Sequence, residues 1–118
     1  MSFVTSVILI FPRTENEEER IAEVNSFVYR KLPLDIRSIE SPNKEPFTAW
    51  YGGTKSMNGH VYIGSYNYFE IDNFLKHISQ VKWEDTKYVQ VLIRNENEWT
   101  YSLYGNAGKE LIHKAIEQ

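Results

Sequence analysis

NGHVYIGSYNYFE, residues 58–70, carries one histidine, three tyrosines and two glycines, and its division into a strand and a helix start decides the fold. In a strand from about Gly59 to Tyr66, successive side chains point to opposite faces. Val61 and Ile63 therefore share one face, and His60, Tyr62, Gly64 and Tyr66 share the other. The aliphatic pair suits a core covered by helices, while the histidine and tyrosines suit a half-wet surface. Asn67 then stands as the N-cap of a helix with Glu70 at N3, and Ile71, Phe74, Leu75 and Ile78 form its apolar stripe.

Upstream, Phe3 to Phe11 reads as a strand whose middle, Val7 to Ile10, is apolar on both faces, as in a central strand covered on both sides. Pro12 stops it. Thr14 with Glu17 forms a capping box for a helix in which Ile21, Val24, Phe27, Val28 and Leu32 lie on one side, closed by Arg30 and Lys31. Four of the five residues from Glu15 to Glu19 are glutamate. Such a run suits the positive end of the helix dipole better than an acidic binding site. Leu34 to Ile39 reads as a short edge strand, and SPNKEP (41–46) as a loop. FTAWY (47–51) has strand character and could pair with the 59–66 strand through GGTKSMNG.

Downstream, WEDTK turns the chain, and Tyr88 to Arg94 and Trp99 to Tyr104 form a hairpin around a polar turn. Asn106 can cap a last helix carrying Leu111, Ile112, Ala115 and Ile116. The order β-α-β-β-β-α-β-β-α predicts one α+β domain over residues 1–118. It has a mixed or antiparallel sheet of about five strands with two to three helices on one face, and a ferredoxin-like core is one such arrangement.

Composition narrows the function. At 118 residues the chain has room for one core. With no cysteine it has no disulfide, thiolate metal site or cysteine nucleophile. The opening MSFVTSVILIF lacks the basic leader and small-residue cleavage site of a signal peptide, and its apolar run is too short to span a bilayer. A soluble cytoplasmic protein is expected. The net charge of −3 and the lack of an RNP-type motif argue against nucleic acid, although an aromatic sheet face is what single-stranded RNA readers use.

His60, His77 and His113 fall on three different elements without metal-ligand spacing. GGTKS lacks the order of a phosphate loop, and Gly64–Ser65 lacks the glycines of a nucleophile elbow. No catalytic set assembles and no cofactor is implied. What stands out is a sheet face carrying His60, Tyr62, Tyr66, Tyr88, Gln90 and Arg94, opposite Val89, Val91 and Ile93. Aromatic residues and arginine dominate association energetics when buried at a contact. The plainer alternative is that the tyrosines are cross-strand pairs, partly roofed by residues 41–57.

The expected function is a binding protein without catalytic activity that uses this aromatic face to hold a protein partner or a second copy of itself. Small acidic α+β character of this kind is shared by toxin-neutralising immunity proteins and short inhibitors, with no motif to tie the chain to either. The alternative is a small-ligand-binding protein or an enzyme with a pocket between the sheet and residues 47–58, where Trp50, Tyr51, His60 and Tyr62 supply stacking and hydrogen bonds.

Overall fold

Four aliphatic residues in a row, Val7 to Ile10, favour an extended backbone on which each side chain can pack to one face or the other. In the computed structural model, which describes residues 3–39, 51–52, 55–56, 59–106 and 111–114, they form the middle of β1 (Val4–Phe11). Then follow α1 (Glu17–Asn25), β2 (Val28–Tyr29), β3 (Leu32–Pro33), β4 (Arg37–Ser38), β5 (Tyr51–Gly52), β6 (Lys55–Ser56) and β7 (His60–Asn67). After α2 (Ile71–Gln80) come a short 3-10 turn (Thr86–Tyr88), β8 (Gln90–Asn95), β9 (Ser102–Asn106) and β10 (Leu111–Lys114).

The main sheet has the order β10-β9-β8-β1-β7-β4, and every pairing in it is antiparallel. β1 lies inside it. β7 runs along one edge of β1 from Asn67 opposite Val4 to His60 opposite Phe11, and β8 covers the other edge. Thr5, Val7, Leu9 and Phe11 of β1 are buried, and the last three join Val24 of α1 and Phe74, Leu75 and Ile78 of α2 in the core. Both helices thus pack on one face of an α+β fold. Burying a side chain such as Phe11 or Phe74 contributes roughly 1.5–3 kcal/mol. Ile8 and Ile10 point the other way and are half-buried, and the two described helices cover β1 on one side.

The first helix is shorter than its apolar spacing predicts, and its cap is Asn16 rather than Thr14: the Asn16 side chain accepts from the Glu19 amide at 3.2 Å. It ends at Asn25, where the amide and hydroxyl of Ser26 both donate to the Glu23 carbonyl. Phe27 still reaches the core, against Phe69, Phe74 and His77. Val28 and Leu32, expected on the buried stripe, are exposed in the β2–β3 hairpin. Arg30 and Lys31 form its turn with φ of 49° and 67°, the left-handed conformation that two-residue hairpin turns require.

The second helix keeps its predicted stripe, with Phe74, Leu75 and Ile78 buried. It starts at Ile71 without a side-chain cap, so the Asn67 cap is not made. Leu34 to Ile39 supplies the edge strand β4, as expected. Residues 47–50 and the 41–46 loop lie outside the described residues. Tyr51–Gly52 pairs with Lys55–Ser56, not with the 59–66 strand, whose edges are taken by β1 and β4. The predicted β8–β9 hairpin forms. The third helix is corrected: Leu111–Lys114 is a strand paired with β9. Among the described residues no helix is long and apolar enough to cross a membrane.

Candidate functional site

The parity of β7 is the reverse of the sequence expectation. Antiparallel pairing puts directly opposed residues on one face, so His60, Tyr62, Gly64 and Tyr66 share the helix-covered side with Phe11, Leu9, Val7 and Thr5. Val61 and Ile63 lie with Ile10 and Ile8 on the other side, where Val61 is buried, as expected, and Ile63 is 46% exposed. The reason is that His60 and Tyr62 bury their rings and still satisfy their polar tips. Tyr62 Oη donates to Glu17 Oε2 at 2.6 Å, and His60 Nδ1 lies 3.1 Å from the same oxygen. Arg13 Nη1 lies 3.4 Å from His60 Nδ1, and both aromatic rings pack on Phe11, with Trp83 beyond it.

The geometry of this cluster follows from the chain path. β1 ends at Phe11 and six residues later the chain starts α1, so Glu17 sits over the sheet end where β7 begins. The cluster anchors α1 to the sheet. Glu15 does the same further round: its buried carboxylate accepts from the Glu84 and Asp85 amides at 2.9 Å each and from Arg20 Nε at 3.2 Å. The glutamate run is therefore a helix start, as expected, whose first member is a buried clamp, which is not legible from charge alone.

Tyr66 also packs inward, stacked on Phe69 at 4.8 Å and edge-on to Tyr29 at 5.7 Å. Its ring lies along Gly64, where a Cβ would meet Cε2 at 2.9 Å and Cζ at 2.5 Å, with Oη closer still. Only a glycine leaves room for that ring. Among the described residues the Tyr66 and Tyr29 hydroxyls are buried without hydrogen-bond partners. Burial, with the Asp35 carboxylate and Tyr29 nearby, pushes the Tyr66 phenol up to about 12.

The sheet thus separates the residues expected to form one aromatic face. Tyr88 is exposed in the 3-10 turn with Lys87 Nζ 5.1 Å above its ring. Gln90 and Arg94 do lie opposite Val91 and Ile93, as expected, and Arg94 Nε donates to the Glu98 carbonyl at 2.8 Å. Tyr51 belongs to β5, and Trp50 lies outside the described residues, as do residues 41–50, 53–54 and 57 of the roof expected from 41–57.

The face away from the helices is the sheet's distinctive surface, and it is aliphatic. Across its middle run Leu103, Leu92, Ile8 and Ile63, each opposite the next, with Arg37 outermost. One row on lie Arg94, Ser6 and Ser65. Asp35, Arg37 and Tyr101 join Ser6, Ile8 and Ile63 around a concavity of about 470 Å³. Arg37 Nη2 bonds Asp35 at 2.9 Å, and that hydrogen bond, with the guanidinium charge, holds the carboxyl below the usual carboxylate range. The pattern missed this face because Ile8 and Ile63 look like core. The parity of β1 would have identified it had Phe11 been assigned inward.

Among the described residues no three histidine, cysteine or acidic side chains converge as a metal ion requires. No protein-family model, curated protein or solved structure matches the chain.

Proposed function

We propose that this chain is a non-catalytic, cytoplasmic binding protein that works through the aliphatic face of its sheet, holding another protein surface against Ile8, Ile63, Leu92 and Leu103. The observation that carries the reading is Ile63, 46% exposed in the interior of an eight-residue strand and directly opposite half-buried Ile8. A contiguous apolar patch on a sheet face is the kind of surface that marks a protein contact. Arg37, Arg94, Asp35 and Ser65 give it the polar margin typical of such contacts. Among the described residues Arg37 and Arg94 are the cations of this margin, too few for a nucleic-acid surface. The core beneath reads as ferredoxin-like with two strands added at one edge. The order β8-β1-β7-β4 supports this, since α1 lies between β1 and β4, which flank β7, and α2 links β7 to β8, which flank β1.

The test is a photoreactive amino acid placed at position 63 in cells of the producing organism, with Lys76 on the exposed side of α2 as the control position. An adduct of higher mass from position 63 and none from position 76 is expected. No adduct from position 63 would remove the reading.

A further inference from the structure

We infer that the occupant of the aliphatic face is a second copy of this chain, packed face to face about a two-fold axis close to β1. The inference rests on the proposed use of this face and adds the identity of its partner. Its first support is the symmetry of the central row. β1 has Leu92 on one side and Ile63 on the other, both opposite Ile8. A two-fold axis parallel to β1, midway between the two facing sheets, exchanges the two sides. It lays Leu92 of each copy on Ile63 of the other and brings the two Ile8 residues together at the axis. An axis turned about 15° from β1 gives the roughly 30° strand crossing and ~10 Å separation of aligned sheets.

The second support is charge. Arg94 and Asp35 lie to opposite sides of β1. Arg94 is paired in register with Ser6, and Ser6 with Ser65. Asp35 stands two residues before Arg37, which is opposite Ile63, and it lines the same concavity as Ser6 and Ser65. The exchange therefore brings Arg94 of each copy toward Asp35 of the other, at two equivalent places on the rim, where the carboxylate already bonded to its own Arg37 would be shared between two guanidinium groups. Ile8, Ile63, Leu92 and Leu103 between them carry no charge, so the chain's net −3 is not concentrated at the contact. Such an isologous arrangement needs each patch to complement itself, and this one does.

The third support is area, which also fixes the strength. The four longer strands β9, β8, β1 and β7, each about 4.8 Å wide, and six residue steps of about 3.4 Å bound the footprint at roughly 400 Å² per copy. A pair then buries about 800–1,000 Å², at the small end of specific contacts, where association is transient. The dimer is thus concentration-dependent.

Sedimentation of the purified full chain across a wide concentration range tests this, together with short bismaleimide cross-linking of an Ile8→Cys variant. Expected are a mass rising from one chain toward two with concentration, and a cross-linked dimer from position 8 but not from Lys76→Cys. Ile63→Lys should abolish both while leaving the circular dichroism unchanged. Arg94→Glu and Asp35→Lys should each weaken association by up to about 25-fold, roughly 5-fold for each of the two exposed ion pairs lost, and the double variant should restore it. Single-chain mass at every concentration would overturn the inference. If position 63 still gives adducts with a different protein in cells, only the second copy is refuted. If it gives none, the use of the face falls as well.

Discussion

Replacing Glu15 with alanine should destabilise the protein more than any other change to an acidic residue near the start of α1. The Glu15 side chain is fully buried and accepts three hydrogen bonds: two from the backbone of the α2–β8 connection, at 2.9 Å, and one from Arg20 at 3.2 Å. Hydrogen bonds to a charged group contribute about 1.5–3 kcal/mol each, and breaking a buried ion pair costs about 3–5 kcal/mol. Arg20 keeps Glu23 and Glu19 as partners, so its charge is not stranded. The lost amide bonds dominate, and a cost of about 3–5 kcal/mol follows for Glu15→Ala. Glu15→Gln keeps one acceptor oxygen and should cost about half as much. Urea unfolding followed through tryptophan fluorescence measures both. In an Arg20→Ala background the cost of Glu15→Ala should fall by about 1 kcal/mol, as groups sharing one network are non-additive. A loss under about 1 kcal/mol for Glu15→Ala would refute the assignment of Glu15 as the clamp between α1 and the α2–β8 connection.

Tyr66→Phe removes a buried hydroxyl that has no partner among the described residues and should leave stability unchanged or raise it by about 1 kcal/mol; thermal unfolding reads the sign. In alkali, the folded chain keeps the Tyr66 proton up to about 12 while the unfolded chain releases it near 10. This residue's contribution is therefore complete below pH 10 and is lost as pH rises through about 12, a slope that Tyr66→Phe should flatten in urea titrations above pH 10. Lys31→Gly relieves a left-handed residue in the β2–β3 turn, where φ is 67°, and should stabilise the chain by about 1 kcal/mol in the same assay.

Periodicity was informative wherever one face differed chemically from the other. The Phe74, Leu75 and Ile78 stripe, the Val89, Val91 and Ile93 burial and the β8–β9 hairpin all follow from it. It was uninformative along β1, where Val7 and Leu9 point inward while Ile8 and Ile10, equally apolar, point outward. A shift of one residue moves a whole set to the other face, so the uncertainty passed to β7 and put the candidate surface on the wrong side. His60 and Tyr62 looked wet because histidine and tyrosine have polar tips, but Glu17, distant in sequence, satisfies both. At the first helix, Val24, Phe27 and Val28 fit helical spacing, yet Ser26 stops the helix and the hairpin that follows exposes Val28 and Leu32. Leu111–Lys114 pairs with β9 although its residues also suit a helix. For His60 and Tyr62 a partner distant in sequence decided the case, and local propensity does not encode it.

The orientation of β7 is the point on which the proposed surface depends, and the cysteine-free sequence allows it to be measured directly. Single cysteines at positions 62 and 63 of the dilute purified protein are reacted with a thiol reagent under native conditions. Tyr62 is 8% exposed and Ile63 46% exposed, so the account predicts rapid reaction of Ile63→Cys and strong protection of Tyr62→Cys until the chain is unfolded. Rapid reaction at position 62 with protection at position 63 would contradict it, returning the aromatic residues to the surface and removing the aliphatic face.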